Sequence, residues 1–190
     1  MVKNKLNLQC IEICAGSLQS AINAAAGNAQ RIEFCSQLEL GGLTPSYGAL
    51  KLARDKLDID IFVLIRPRPG HFVYNEIEVN QMLKDIELCK SMGMNGIVTG
   101  ALNPDLRINM EICKRLKEIT DPLPCVFHRA IDETPDLLAD MEKLIELGYQ
   151  RVLTSGGANT AWEGRRMIKE MVIQAAGRIE VLAGSGIPRH

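Results

Sequence analysis

Aromatic residues and surplus charge are both scarce in this chain of 190 residues. Phe, Trp and Tyr make up 4% of the sequence, and the formal net charge is −1 at pH 7. Proteins that bind nucleic acid or anionic membrane surfaces usually present a basic patch, and base stacking requires aromatic rings. We therefore expect neither nucleic acid nor a membrane as a partner.

A long apolar run is lacking in the N-terminal segment. Asn7, Gln9 and Glu12 interrupt it, so we expect neither a secretory signal nor a transmembrane helix. This points to a cytoplasmic protein. In that reducing compartment we expect the six cysteines, which show no framework spacing, to be free thiols.

Apolar residues are plentiful enough for one large core. They make up 46% of the chain, which favours a single domain over residues 1–190. Strand-like and helix-like periodicities alternate, and such repeats are typical of a parallel sheet covered by helices. The predicted strands are 6–14, 31–35, 60–66, 96–100, 124–129, 151–155 and 179–184, and the predicted helices are 17–26, 46–56, 76–91, 110–119, 135–147 and 161–176.

Seven strands and six helices fall about one and a half units short of a closed (β/α)8 barrel. We predict an α/β fold of the TIM-barrel type that is incomplete at its C-terminal end and lacks the eighth strand. An open barrel leaves two strand edges unpaired, so we also expect a homo-oligomer, a dimer or larger. A doubly wound sheet is the alternative, although inward-facing polar residues on several strands argue against it.

The first two predicted strands end in the same pattern, with a carboxylate two positions before a thiol. Glu12 precedes Cys14 in the first strand as Glu33 precedes Cys35 in the second. Strand alternation places both polar groups of each pair on one face. If the strands are parallel neighbours, we expect the two glutamates side by side and the two cysteines side by side. Sites in parallel α/β proteins lie at these strand ends, so the four residues form a candidate site.

Short motifs stand at the ends of the predicted strands or in the loops that follow them. The motifs comprise residues 8–14, 31–35, 41–46, 65–68, 98–100, 127–130 with Asp132, 151–156 and 183–186. In this order they resemble the CutC copper homeostasis family, a family of TIM barrels, over essentially the whole chain. The resemblance implies an eighth strand in the further residues that members usually have, and assembly into dimers or larger oligomers. Leu40, Pro69, His71 and Val73 depart from the family's usual residues.

The resemblance implies copper, as Cu(I), held by Cys14 and Cys35. Cu(I) prefers soft thiolates, and adjacent strands about 4.8 Å apart would let two sulfurs reach one ion. Cys10, four residues along the strand, would be about 13 Å away and too distant. Two other interpretations stay open: plain core packing, which is common for free cysteine, and a reversible disulfide. The cysteines predicted to lie in the core are Cys89, Cys113 and Cys125.

Other polar residues at the strand ends carry charge rather than soft ligand atoms. They are the cationic Arg66, Arg68 and Arg129, the titratable His128, and the anionic Glu12, Glu33 and Asp132. We expect His128 to face the pocket and Arg129 to be held by a carboxylate. Charged layers inside small barrels can also be mutually satisfied ion pairs, and pairs such as Glu12–Arg66 or Glu33–Arg129 would then be structural.

Two loops contain glycine and hydroxyl residues that suit an anion. Gly184 and Ser185 follow the seventh strand, where phosphate-binding barrels present backbone N–H groups. Ser155 and Gly156 follow the sixth strand and can add hydroxyl and amide donors. A glycine-rich turn is equally compatible with an ordinary tight turn.

Two functions follow, one with a metal ion as partner and the other with a small molecule. The first is copper handling through Cys14 and Cys35. The alternative is a TIM-barrel enzyme that acts on a small anionic or phosphorylated substrate by general acid–base catalysis. Its candidate acid–base residues are His128, Glu12 and Glu33, and its candidate anion-binding residues are Arg66, Arg68, Arg129, Asp132, Ser155, Gly156, Gly184 and Ser185.

Copper handling should depend on the thiols and tolerate Arg66→Ala, whereas the enzyme should show the reverse. The fold alone does not choose between them.

Overall fold

A computed structural model describes residues 11–187 of the chain. Its centre is a parallel sheet of seven strands that lie side by side in chain order. This order is what successive βα units with the same crossover produce. The strands are β1 Glu12–Ala15, β2 Arg31–Phe34, β3 Asp60–Leu64, β4 Gly96–Thr99, β5 Cys125–Phe127, β6 Arg151–Thr154 and β7 Glu180–Ala183.

Six α-helices connect these strands, which confirms the predicted incomplete TIM-type fold. They are α1 Leu18–Ala26, α2 Tyr47–Lys56, α3 Glu76–Ser91, α4 Met110–Thr120, α5 Leu137–Glu146 and α6 Arg165–Ala175. Short 3-10 helices follow β2 at Leu38–Leu40 and β5 at Arg129–Glu133. Every helix between residues 11 and 187 is too short or too polar to cross a lipid bilayer.

The two faces of the sheet bury different sets of side chains. Outward residues such as Ile32 and Ile97 join the helices in the main hydrophobic core. Inward residues such as Leu64 and Val98 form a smaller cluster inside the barrel. Within residues 11–187, β1 pairs with β2 alone and β7 with β6 alone. The barrel is therefore open between β7 and β1, as predicted.

The helix starts show which polar residues act as caps. Asn75 caps α3 and Ser46 caps α2. At α5 the cap is Asp136, whose side chain accepts the bond from the helix, and not the hydroxyl residue Thr134 that precedes it. The hydroxyl of Thr134 is engaged by the preceding 3-10 helix, where it donates to the carbonyl of Ile131.

The register of β1 against β2 differs from the prediction by two residues. Glu12 pairs with Arg31 and Cys14 pairs with Glu33, while Cys35 lies one residue beyond the end of β2. The expectation that the two glutamates lie side by side is therefore wrong. Strands in a barrel are staggered along one another, and a stagger of two residues keeps the same side chains facing inward.

A charged layer lies toward the N-terminal ends of the strands. The guanidinium carbons of Arg31 and Arg151 lie 4.8 and 5.1 Å from the ring centre of Phe62. Each arginine pairs with a glutamate of an edge strand, Glu12 on β1 and Glu180 on β7. Ion pairs inside the barrel, which the sequence left open, are formed here with Arg31 rather than Arg66 as the partner of Glu12. One nitrogen of each arginine, Arg31 Nη2 and Arg151 Nη1, is nevertheless buried without a hydrogen-bond partner.

Candidate functional site

A cavity of about 1080 Å³ lies inside the incomplete barrel, and both edge strands contribute to its wall. Most of the predicted site residues reach it. Those that line it are Glu12, Cys14, Glu33, Arg66, His128, Arg129, Gly184 and Ser185. The predicted residues that do not line it are Cys35, Arg68, Asp132, Ser155 and Gly156.

The two candidate copper ligands lie close together. The Sγ atoms of Cys14 and Cys35 are 4.0 Å apart, and both thiols are free. Cys14 is exposed on β1 at the cavity wall, whereas Cys35 is buried just after β2. The strand stagger makes them diagonal neighbours instead of register partners. Cys10 lies outside the described residues.

These two thiols have opposite acidities. The S–H group of Cys14 stabilises the Cys35 thiolate, which lowers the pKa of Cys35. The same hydrogen bond raises the pKa of Cys14. Cys35 is therefore the first of the pair to ionise, and the thiolate is the form of cysteine that binds metals.

Glu33 is a buried carboxyl beside this pair, with its Oε1 atom 3.9 Å from Cys14 Sγ. Burial, followed by the proximity of Cys14 and Glu12, raises the pKa of Glu33 well above its usual value. The protonated carboxyl is thus favoured, and it is a poor metal ligand. Within the described part of the chain, no group of three or more His, Cys, Asp or Glu side chains could hold a metal ion. Cys14 and Cys35 are left as a two-coordinate arrangement.

Arg66, at the end of β3, ties two loops together through backbone carbonyls. Its Nη1 donates to the carbonyls of Leu40 and Gly42 at 3.0 and 3.1 Å, and its Nη2 donates to that of Gly70 at 2.7 Å. The possible ion pair with Glu12 is not formed. Leu40 departs from the family pattern in its side chain, but its backbone carbonyl accepts the hydrogen bond from Arg66.

His128, after β5, is a neutral histidine at the cavity wall. Its Nδ1 accepts a hydrogen bond from the backbone N–H of Ala130 at 3.2 Å, which leaves the ring proton on Nε2. Burial and the charge of Arg66 lower the pKa of His128 to about 3. This value is far from neutral, so His128 is better suited to donate a hydrogen bond than to act as a general acid or base.

Arg129 is held by a carboxylate, as predicted, and that carboxylate is Asp132. Its Nε lies 2.9 Å from Asp132 Oδ2, and its Nη2 donates to Ser155 Oγ at 2.8 Å. The alternative pair with Glu33 is not formed. Arg129 is thus fixed at the rim of the cavity by groups outside it.

Asp132 accepts hydrogen bonds from the loop after β6 that an external anion was expected to accept. Its oxygens accept bonds from the backbone N–H groups of Ser155 and Gly157 and from the Thr154 hydroxyl. The N–H group of Gly156 donates to Thr154 Oγ1. The donors that the sequence offered for a substrate anion are therefore engaged within the chain, that of Ser155 by the Asp132 carboxylate and that of Gly156 by the Thr154 hydroxyl.

The loop after β7 is likewise bonded within the chain. The N–H of Gly184 donates to the carbonyl of Thr154 at 2.9 Å, and the hydroxyl of Ser185 donates to that of Asn159 at 3.2 Å. Both residues line the cavity, but these two donors hold the loops after β6 and β7 together.

Arg68 faces away from the cavity. It forms an ion pair with Glu78 of α3 and donates to the carbonyls of His71 and Val73. It therefore fixes the loop between β3 and α3. Pro69 and Val73, which depart from the family pattern, meet Arg68 through their backbone carbonyls, and His71 meets it through both its carbonyl and its ring Nδ1.

Sequence reasoning missed Phe72, which links the two cavity residues Arg66 and His128. Its ring centre lies 4.8 Å from the guanidinium carbon of Arg66 and 4.7 Å from the centre of the His128 ring. Phe72 also lines the cavity. The available signal was its position, since the chain has only four phenylalanines and this one follows a strand end.

Comparison with known proteins gives consistent results. Residues 9–190 match the CutC family. The copper homeostasis protein cutC homolog of Homo sapiens is 48% identical over 177 residues, which cover 93% of this chain and 65% of the human protein. A family protein named CutC from Xylella fastidiosa (strain Temecula1) is 46% identical over 93% of this chain and 66% of its own length. The chain thus spans slightly less than two thirds of these relatives.

Solved structures support the same assignment. The crystal structure of the putative copper homeostasis protein CutC from Streptococcus agalactiae superposes with a TM-score of 0.87 at 36% identity, covering 93% of this chain and 87% of that chain. A structure titled as an aldolase, QR15, has a TM-score of 0.66 at 16% identity, which shows a shared fold alone. On the family match and these identities, the chain belongs to the CutC family.

Proposed function

We propose that this chain binds one Cu(I) ion between the sulfurs of Cys14 and Cys35 and serves copper homeostasis in the cytoplasm. The observation that carries the proposal is the 4.0 Å separation of the two Sγ atoms. A metal–thiolate bond of about 2.3 Å, the value for zinc, lets one ion bridge sulfurs up to about 4.6 Å apart. The thiols can therefore hold an ion with small side-chain adjustments.

The donor set favours Cu(I) over harder or more highly coordinated ions. Cu(I) accepts two soft ligands, whereas structural zinc requires four. Burial raises the pKa of the neighbouring Glu33 carboxyl, which favours its protonated form and makes it a weaker ligand. Binding proceeds on the Cys35 thiolate and displaces the proton of Cys14, because only the thiolate form is a ligand. A reducing compartment keeps both thiols available.

An anaerobic Cu(I) titration against a chromophoric chelator tests this proposal. The native chain is compared with Cys14→Ser, Cys35→Ser and Cys89→Ala, the last removing a fully buried thiol in α3. We expect one equivalent in the native chain and in Cys89→Ala, with affinity at least about tenfold weaker in either serine variant. Arg66→Gln should bind Cu(I) as the native chain does. Equal affinity in all the variants would overturn the proposal and leave the pair as core packing.

A further inference from the structure

We propose that the cavity also holds a small oxyanion, a carboxylate or a phosphate, between the guanidinium of Arg66 and the Nε2–H of His128. Both side chains line the cavity, one after β3 and the other after β5. Neither is a ligand of the thiol pair, so this site is independent of copper binding.

The charge of Arg66 is buried without a counter-charge. Its side chain is only 6% exposed. None of the ion pairs found between residues 11 and 187 includes it. Carbonyl dipoles solvate a guanidinium but do not neutralise it, and an unpaired buried charge is unfavourable. An anion in the cavity would supply the missing charge.

Two of the five N–H groups of Arg66 make no well-formed hydrogen bond within residues 11–187, although the hydroxyl of Tyr74 lies close to the guanidinium. Nη1 uses both of its hydrogens on the carbonyls of Leu40 and Gly42, and Nη2 uses one on Gly70. Nε is buried and has no hydrogen-bond partner. The unused donors are therefore on Nε and Nη2, two nitrogens of the same planar fork, which is the arrangement that binds carboxylate or phosphate oxygens in pairs.

His128 supplies a further donor without a partner. Its Nε2 is buried and unbonded, and the residue is 5% exposed. Buried polar atoms that lack partners are rare in folded proteins. Five such side-chain atoms occur within residues 11–187. Three belong to Arg66 (Nε), His128 (Nε2) and Tyr74 (the hydroxyl), and the other two are Arg31 Nη2 and Arg151 Nη1 in the charged layer, where each arginine already has a glutamate partner. Burial raises the pKa of Tyr74 to about 12, and the charges of Arg66 and Arg68 together with hydrogen bonding to Arg66 oppose this rise, so the Tyr74 hydroxyl lies beside the guanidinium of Arg66.

Asp132 does not compete for the site, because it is occupied by Arg129 and the loop after β6. Glu33 forms no ion pair with Arg66. The ring of Phe72 packs against both Arg66 and His128 and lines the cavity. Arg66 Nε and His128 Nε2 have no exposed surface, so an anion that binds them requires neighbouring side chains at the cavity wall to shift.

A purely structural role explains only part of Arg66. Joining the loops after β2 and β3 uses its two terminal nitrogens, but it does not account for the unbonded Nε or for the unbonded nitrogen of His128. The proposal and this simpler role predict different responses to added anion.

Nuclear magnetic resonance of the arginine Nε–H groups distinguishes the proposed anion site from a purely structural role of Arg66. The ¹⁵N-labelled full chain is titrated with inorganic phosphate and, in a separate arm, with sodium acetate. The Arg66 signal is assigned by its loss in Arg66→Gln. We expect a saturable shift of this signal with at least one of the two anions, and the responding arm identifies the phosphate or carboxylate preference. If neither anion produces a saturable shift, the proposal is overturned.

Calorimetric titrations with the responding anion compare the native chain with matched variants. Arg66→Gln should weaken binding at least about tenfold, while Arg68→Gln, which removes the same charge outside the cavity, should leave it unchanged. His128→Asn keeps a side-chain acceptor for the Ala130 N–H but lacks Nε2, and it should weaken binding about threefold or more. Cys14→Ser should bind the anion normally. Equal weakening by Arg66→Gln and Arg68→Gln would show non-specific attraction and overturn the site.

Discussion

Cys14 Sγ lies 4.0 Å from Cys35 Sγ, although the backbone register pairs Cys14 with Glu33. The stagger of β1 against β2 sets the two thiols on a diagonal and leaves the Glu33 carboxyl beside the first of them. The thiols are consequently not equivalent, since Cys14 is exposed beside Glu33 whereas Cys35 is buried. This asymmetry has a measurable effect on acidity.

Replacing Cys14 by alanine should raise the pKa of Cys35. The variant removes the S–H group that stabilises the Cys35 thiolate, whereas the burial that opposes ionisation remains. The measurement is a pH titration of the ¹³Cβ resonance of Cys35. Cys14→Ser retains a hydroxyl donor and should recover part of the effect. A Cys35 pKa that is unchanged or lower in Cys14→Ala would contradict this account.

Glu33→Gln should make the protein more stable than the native chain near neutral pH. The folded-state pKa of Glu33 is raised by burial, so its contribution to stability is complete below the unfolded pKa of about 4.3 and is lost as the pH rises toward the folded pKa. Glutamine has no charge to lose. The stability advantage of the variant should therefore grow with pH, by at most about 1.4 kcal/mol per pH unit.

Urea unfolding followed by circular dichroism at several pH values between about 5 and 7 measures this advantage. Glu39→Gln is the control, because Glu39 lies exposed in the 3-10 helix after β2. Its stability difference from the native chain should stay nearly constant with pH. An advantage of Glu33→Gln that shrinks as the pH rises would show that Glu33 is charged in the folded protein.

The fold could be predicted from the sequence because its signals are local. The alternation of periodicities locates the seven strands and six helices, and period-two spacing correctly places Glu12, Cys14, Glu33 and Cys35 on the inner face. The register could not be predicted in this way. It depends on how strongly all the strands of a barrel are staggered, and no pair of strands encodes that value.

The sequence accordingly predicted which residues belong to the candidate site better than it predicted their contacts. Arg129 was expected to meet a carboxylate and does, but Arg66 meets carbonyls, because Glu12 is opposite Arg31 in the actual register. The role of Asp132 depends on how the loop after β6 folds back, which local patterns do not reveal. Charge pairs between strands follow from register and loop geometry, and both are properties of the whole fold.

Asp132→Ala should destabilise the protein by about 3 kcal/mol, because buried N–H and hydroxyl groups around it would lose their acceptor. The side chain of Asp132 is 8% exposed and accepts bonds from Arg129, Ser155 and Gly157. Asp132→Asn keeps one acceptor oxygen and should cost less. The exposed Asp58→Ala is the control and should change the unfolding free energy by less than about 0.5 kcal/mol. Equal effects at the two positions would mean that Asp132 does not hold the loop.

Alanine at Gly96 and at Gly48 should change stability in opposite directions. A Cβ atom on Gly96, in β4, would lie 2.6 Å from the ring of Phe62, and the guanidinium groups of Arg31 and Arg151 pack against that ring. The ring has little room to move, so Gly96→Ala should lower the unfolding free energy by about 1–3 kcal/mol.

Gly48, near the start of α2, provides the matched comparison, since a Cβ atom there would meet nothing within 4 Å. Gly48→Ala should raise the unfolding free energy by about 0.5 kcal/mol, because alanine restricts the unfolded chain and favours the helix. Urea unfolding of both variants under one set of conditions tests the pair. If Gly96→Ala proves as stable as the native chain, Phe62 can shift, and the arginine layer toward the N-terminal ends of the strands is less rigid than its geometry indicates.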